Sequence, residues 1–423
     1  MDRRRFIQTA TTASAATLAS MLPIADLHAR VKAGLDKLTQ IPQTYDAIVL
    51  GVGSMGAATC FQLARQGFRV LGLEQFDIPH ELGSHTGQSR IIRKAYAEHP
   101  DYVPLLERAY ENWKALEEET GTQVYFRTGL LYCGQSEDPF IKGVKFSSGK
   151  YQIPLQALSI EEAGRKFPQF RLPHGFERLL EPDAGLLTPE RSILLYTELA
   201  LRYGAFIRTR EKVRSWTRDN GGFLVKTDLG DYKAKKLIVT AGPWAGSLLP
   251  GLDRHLTVTR QAMAWMQPER WDDFTLGNFP CWIIEHDGRA FYGFPILPAG
   301  QLGGPVGLKV AMHYPGGEVT LPDVVDRRSR KEDEEILVEA LRQHIPGAWT
   351  ATLAMKTCLY TNTPDKDFVL DFLPGYEGDV VIGAGFSGHG FKFVSAVSEV
   401  LSDLAMKGST SLPIGFLRAS RFS

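Results

Sequence analysis

Residues 45–74 read YDAIVLGVGSMGAATCFQLARQGFRVLGLE. An apolar strand over 47–50 runs into Gly51-Val52-Gly53-Ser54-Met55-Gly56. Ala57, Cys60, Phe61 and Ala64 then recur at helical spacing, Gly67 falls where a helix cap is expected, and a second strand over 69–73 ends on Glu74. The glycines have separate tasks: Gly51 permits the tight turn, Gly53 lets backbone approach a pyrophosphate, and Gly56 lets helix and strand pack closely. Ser54 and Met55 open the helix, whose free N–H groups form the phosphate seat. Glu74 lies where an acid accepts the ribose hydroxyls. A lone GxGxxG is a weak signal. Strand, helix, second strand and terminal acid together predict a dinucleotide site, and leave FAD and NAD open.

Composition bounds the rest. A chain of 423 residues exceeds one hydrophobic core, so an α/β protein of two domains is expected. Lys+Arg and Asp+Glu both number 48, so no basic field draws the chain to nucleic acid or an anionic membrane. The four cysteines, Cys60, Cys133, Cys281 and Cys358, are widely spaced and match neither a zinc motif nor a disulfide framework. The N-terminus, MDRRRFIQ followed by an Ala/Thr-rich apolar run, fits a twin-arginine signal over 1–29 and is too short and weakly apolar for a membrane span. That predicts export of a folded protein to the periplasm, a cytoplasmic location being the alternative. Residues 30–44 read as a linker.

Past Glu74, the polar loop GSHTGQSR delivers Arg90, with Arg93 three residues on, and guanidinium forks there suit phosphate or carboxylate. Leu105, Leu106, Ala109, Trp113 and Leu116 form a helix stripe read as core. Ser159-Ile160-Glu161-Glu162 opens a helix with a capping box. A meander over 212–239 ends in the small-residue turn at Gly242-Pro243-Trp244. Alternation over 306–313 puts Lys309, Ala311 and His313 on one strand face, either at a site or on a solvated edge. The charge-rich run 327–339 reads as the exposed face and first turn of a helix. Near the end, GAGFSGHGFK (383–392) is a second glycine-rich strand-to-helix turn, so the dinucleotide domain is completed from both ends of the chain.

GSHTGQSRIIRKAY (83–96), FYGFP (291–295), GLKVAMH (307–313), CLYTNTPD (358–365) and GAGFSGHGFKF (383–393) occur in the order found in the monomeric sarcosine oxidase and N-methyltryptophan oxidase family. The chain resembles that family from about residue 45 to about 408. The resemblance implies an FAD-binding, Rossmann-like domain of the glutathione-reductase/D-amino-acid-oxidase type over 45–132, 184–256 and 365–423. A mixed-sheet substrate domain over 133–183 and 257–364 completes it. It implies FAD bound covalently through Cys358, with Ser84, Gly385, Gly388 and Gly390 around it and Arg90 by the flavin ring. It implies that Arg93 and Lys392 hold a substrate carboxylate, that Tyr292, Tyr360 and His313 line the pocket, and that Lys309 sits where oxygen reacts. The implied partners are a small secondary amine and oxygen, and the implied state is a monomer. The implied activity is oxidation of N-methyl amino acids to aldehyde, primary amine and peroxide. The alternative is a flavin dehydrogenase passing electrons to a carrier. Thr86 stands where that family often has a second histidine, and the loop 295–305 is longer than usual.

Overall fold

The computed structural model describes residues 44–422, so the signal and linker readings lie outside the described residues. At the centre of an eight-stranded sheet, Tyr45–Leu50 pairs in parallel with Val70–Leu73 on one side and Asp231–Val239 on the other. Val380–Ala384 joins in parallel beside Asp231–Val239, so the last third of the chain does complete this sheet. The central strand is apolar throughout because both its faces are covered. Ala47 and Val49 face a core built with the helices Ser54–Arg65, Val103–Thr120, Pro189–Arg202 and Val394–Lys407. Ile48 and Leu50 face a second core, closed by the meander residues Phe223 and Val225.

The second sheet is mixed. Its order is Ala351–Asn362, Thr257–Gln267, Leu308–Tyr314, Arg289–Phe294, Cys281–His286, Leu130–Gln135, Phe176–Glu181 and Gln156–Ala157, with a parallel pair at Cys281–His286 and Leu130–Gln135. One face packs against the helix Lys331–His344 through Leu337, Val338 and Leu341. The domain boundary drawn at 132/133 falls inside Leu130–Gln135, and both strands pairing with it are in the second sheet. The boundary therefore belongs before Leu130, because a strand cannot be divided between two ladders. Two local readings also change. The charged run enters its helix only at Lys331, with Arg330 as N-cap, and the loop 295–305 contains a short helix, Ala299–Leu302.

The glycine turn is as tight as its spacing demands. Gly51 sits at φ +93°, and a Cβ on Gly56 would lie 1.9 Å from the Gly51 carbonyl oxygen and 2.9 Å from Thr240 Oγ1. Gly53 has open space where its Cβ would be. Gly56→Ala should therefore destabilise the fold, by about 1–3 kcal/mol or more as an overpacked contact against backbone. Thermal unfolding of the purified variant measures this, and a variant as stable as wild type contradicts it.

Candidate active site

A cavity of about 790 Å³ runs from the Gly51–Glu74 end of the first sheet to the inner face of the second. That is near the upper end of small-molecule sites, roughly 300–1,000 Å³. Gly51, Gly53, Ser54, Met55 and Glu74 line one end. The helix Ser54–Arg65 has no side chain capping Gly53 and no acid in its first turn, which leaves its N–H groups for an anion. Glu74 accepts from the N–H groups of Val52, at 2.9 Å, and Phe76, at 3.0 Å, so its carboxylate is fixed beside the turn. Burial raises its pKa to about 7, against those two hydrogen bonds. The turn at Gly242-Pro243-Trp244 also lines this part of the cavity.

Next come the loop 83–89 and Arg90. Arg90 donates to the carbonyls of Ser89, Ser84 and Thr86 at 2.8, 2.9 and 2.7 Å, wrapping the loop around its guanidinium. His85 Nε2 and Thr361 Oγ1 are buried without a hydrogen-bond partner among the described residues, and both residues line the cavity. Orphaned polar atoms, open space at Gly53 and a bare helix N-terminus fit a bound dinucleotide.

Lys309 is not on a solvated edge. Its strand lies inside the second sheet, and its side chain is 2% exposed. Nζ donates to the carbonyls of Gly87 and Ser89, the latter at 2.7 Å, and to Ser89 Oγ at 3.3 Å. The ammonium also lies 4.7 Å from the centre of the Phe294 ring. Burial, then the nearby Arg90 charge, lowers its pKa well below the ordinary lysine value. Lys309 thus stands behind the loop rather than on the cavity surface. Cys358 is likewise set back, 3% exposed among Met263, Trp265, Ala311 and Tyr360. Burial raises its thiol pKa, and the charges of Arg90 and Lys309 oppose that. Gly56 does not line the cavity either, its part being the helix–strand contact.

At the far end the structure brings Arg93 and Lys392 together around Tyr96, a residue the sequence reading left without a role. The Arg93 guanidinium lies 4.4 Å from the Tyr96 ring centre and Lys392 Nζ 5.2 Å. Lys392 Nζ donates to the His389 carbonyl at 2.8 Å. Tyr96 and His389 share a 2.6 Å hydrogen bond, and His389 Nε2 faces the Lys366 carbonyl at 3.0 Å. The His389 proton therefore sits on Nε2, and Nδ1 accepts from Tyr96. Arg93 also donates two hydrogen bonds to the Glu98 carboxylate, at 2.6 and 2.8 Å. Burial works against both charges, and the pairing more than offsets it: Glu98 falls to about 2 and Arg93 stays firmly protonated. The carboxylate position at Arg93 is thus filled by an acid of the chain itself, five residues away, a spacing with no regular period to announce it.

Tyr292, His313 and Tyr360 close the opposite wall, where His313 Nδ1 lies 3.3 Å from the Tyr360 hydroxyl. Burial lowers His313 to about 4 and raises Tyr360 far above the ordinary phenol value, so both are neutral at pH 7. The Tyr360 ring rests on Gly388, where a Cβ would lie 2.3 Å away. Gly385, Gly388, Gly390 and Lys392 line this stretch too.

Fold and site together define a dinucleotide-dependent oxidoreductase whose cavity is lined by cations at the end away from the glycine turn. The chain belongs to the FAD dependent oxidoreductases, whose family pattern matches residues 46–404. It is 37% identical to monomeric sarcosine oxidase of Streptomyces avermitilis over 90% of this chain and 98% of that one. It is 37% identical to peroxisomal sarcosine oxidase of Homo sapiens over 89% and 96%, and 32% identical to N-methyl-L-tryptophan oxidase of Citrobacter koseri over 90% and 99%. Among solved structures it is similar to NikD, an amino acid oxidase of nikkomycin biosynthesis, with TM-score 0.77 and 27% identity over 89% of this chain and 97% of that one.

Burial and the neighbouring Arg93 bring Lys392 down to about 7, so it loses its proton as pH rises through that value. A carboxylate held there favours the charged form. KM for acid substrates should therefore rise severalfold across neutrality, and Lys392→Gln should raise KM and flatten the profile. Steady-state kinetics across pH test this, and a wild-type KM independent of pH contradicts it.

Proposed function

We propose that this protein is an FAD-dependent oxidase of secondary, N-methyl amino acids such as sarcosine or N-methyltryptophan. Its products are an aldehyde, the primary amine and hydrogen peroxide. The observation that carries the reading is the convergence of Arg93 and Lys392 on one ring at the end of a dinucleotide cavity. The names of the similar proteins support it.

Gly51, Gly53, Ser54, Met55 and Glu74 would hold the dinucleotide portion of FAD, and the loop 83–90 with Gly385, Gly388 and Gly390 the flavin end. Bound FAD supplies the two-electron chemistry that oxidises the carbon–nitrogen bond and returns the electrons to an acceptor. Arg93 and Lys392 take the substrate carboxylate, and Glu98 must release Arg93 as the substrate enters. This cluster of cations disfavours an ammonium beside it, so the substrate nitrogen is held neutral, with its lone pair free. Neutral His313 and Tyr360 orient the amine without adding charge. Together the side chains convert a binding event into a fixed geometry.

The second reading is a dehydrogenase passing electrons to a carrier, and what favours it is that Lys309, the cation the resemblance puts where oxygen reacts, lies behind the 83–89 loop rather than on the cavity surface. A panel of secondary amino acids, assayed for peroxide and with an artificial acceptor, separates the two. Peroxide formed in step with substrate loss supports the oxidase. Turnover only with the artificial acceptor supports the dehydrogenase, and no turnover with any secondary amine rejects the reading.

We also propose that Cys358 carries the flavin covalently, on the strength of the CLYTNTPD segment. Acid precipitation should leave the yellow colour with the protein, and Cys358→Ser should release it. Colour freed from the native protein contradicts the attachment. The chain is proposed to act as a monomer, like its bacterial relatives, and among the described residues no helix is long and apolar enough to cross a membrane. The proposed location is the periplasm, the cytoplasm being the alternative. Changing Arg3 and Arg4 to Lys should retain the protein in the cytoplasm, and unchanged periplasmic recovery argues against twin-arginine export.

A further inference from the structure

The charged residues lining the cavity are segregated. Arg90, Arg93, Lys366 and Lys392 belong to segments 90–93 and 366–392, and Lys212 lies at the dinucleotide end beside Glu211. The wall made by the second sheet and residues 138–140 carries two carboxylates, Asp138 and Glu285, and no cation. Glu285 is on the strand Cys281–His286, two residues from Ile283 and opposite Ala290 in register, and both of these also line the cavity. Its stem is packed: a Cβ on Gly134 of the adjoining strand would meet Glu285 Cβ at 3.2 Å. His286 and Arg289 line a different cavity with His344, so the cation nearest in sequence serves another space.

The other acids of the main cavity are engaged. Glu74 accepts from Val52 and Phe76, Glu98 from Arg93, Asp138 from the Phe140 N–H at 2.8 Å, and Glu211 from Thr227 at 2.6 Å. Glu285 has no hydrogen-bond or ion-pair partner among the described residues, and burial followed by the Asp138 charge raises its pKa to about 7. A carboxylate held half-buried beside another acid gains more from a cation than a solvated one does.

We propose that Glu285 is a specificity-determining residue selecting substrates whose side chain carries a cation. The substrate class is then a dibasic secondary amino acid, with its carboxylate at Arg93 and Lys392 and a distal ammonium or guanidinium at Glu285. This rests on the oxidation of secondary amino acids proposed above and adds the class of side chain. An apolar side chain of the same length leaves Glu285 uncompensated, and a substrate without a side chain, such as sarcosine, offers it no cation.

The test uses the full-length, FAD-loaded protein. Oxidation of Nα-methyl-L-lysine is compared with that of Nα-methyl-L-2-aminoheptanoate, which has the same number of side-chain heavy atoms and an uncharged end. The ratio of their kcat/KM values should favour the lysine derivative by roughly three- to tenfold, as expected for a partly buried charge pair. It should fall to about one in Glu285→Gln. In wild type it should also shrink as pH falls below neutrality and Glu285 takes up a proton, while effects of Lys392 cancel because both substrates share the carboxylate. A wild-type ratio at or below one, or a preference that persists in Glu285→Gln, overturns the proposal.

A second arm needs no turnover. Calorimetry measures binding of ω-amino carboxylates of increasing chain length against alkanoates of equal length. Tighter binding of the amino compounds at one length, lost in Glu285→Gln, supports the cation subsite even if no secondary amine is oxidised. Equal binding, or none, overturns it.

Discussion

A single buried ammonium joins the two halves of this molecule. Lys309 comes from the middle of the second sheet, and its hydrogen bonds end on Gly87 and Ser89, in the loop that leaves the dinucleotide domain. Burying an amine so completely is costly unless its donors are satisfied. Here the carbonyls of Gly87 and Ser89 supply that compensation. The same loop is held from two other directions. Glu190 accepts from the N–H groups of Gly87 and Gln88 at 2.8 and 3.1 Å, and Arg90 gathers the carbonyls on either side. A cavity wall results whose shape is set by hydrogen-bond satisfaction rather than by regular secondary structure.

The same constraint explains the far end of the cavity. Arg93 and Lys392 are both buried, and two like charges around one tyrosine ring repel. The chain answers each differently. Arg93, which cannot lose its proton, is given a carboxylate of its own in Glu98, while Lys392 is left to a carbonyl and a lowered pKa. Glu98 thereby occupies, with both its oxygens, the position where a carboxylate meets that guanidinium. His313, Tyr360 and His389 are held neutral by burial, so the charge of this region is carried by few groups and responds to small changes in any of them.

Local chemistry legible in the sequence was of two kinds. Gly51, Gly53, Gly56 and Glu74 are readable because the turn, the backbone approach and the helix–strand contact each demand one residue type at one spacing. The capping box at Ser159 and Glu162 and the core stripe of Val103–Thr120 are readable because a helix imposes its period on neighbours three and four apart. The motifs around Arg93, Tyr360 and Lys392 were readable as segments, though the period of their strands and turns does not say where the side chains meet.

The sequence by itself determined the dinucleotide turn, the alternation of sheet and helix, and the completion of the first sheet from both ends of the chain, because each follows from short-range patterning. Only the tertiary structure decided which charges face one another. Arg93 meets Glu98 rather than solvent, Lys309 lies behind the 83–89 loop rather than on the cavity surface, and Glu285 is left without a partner on the opposite wall. These outcomes depend on the desolvation of each group and on contacts between strands up to hundreds of residues apart, and no local period encodes either.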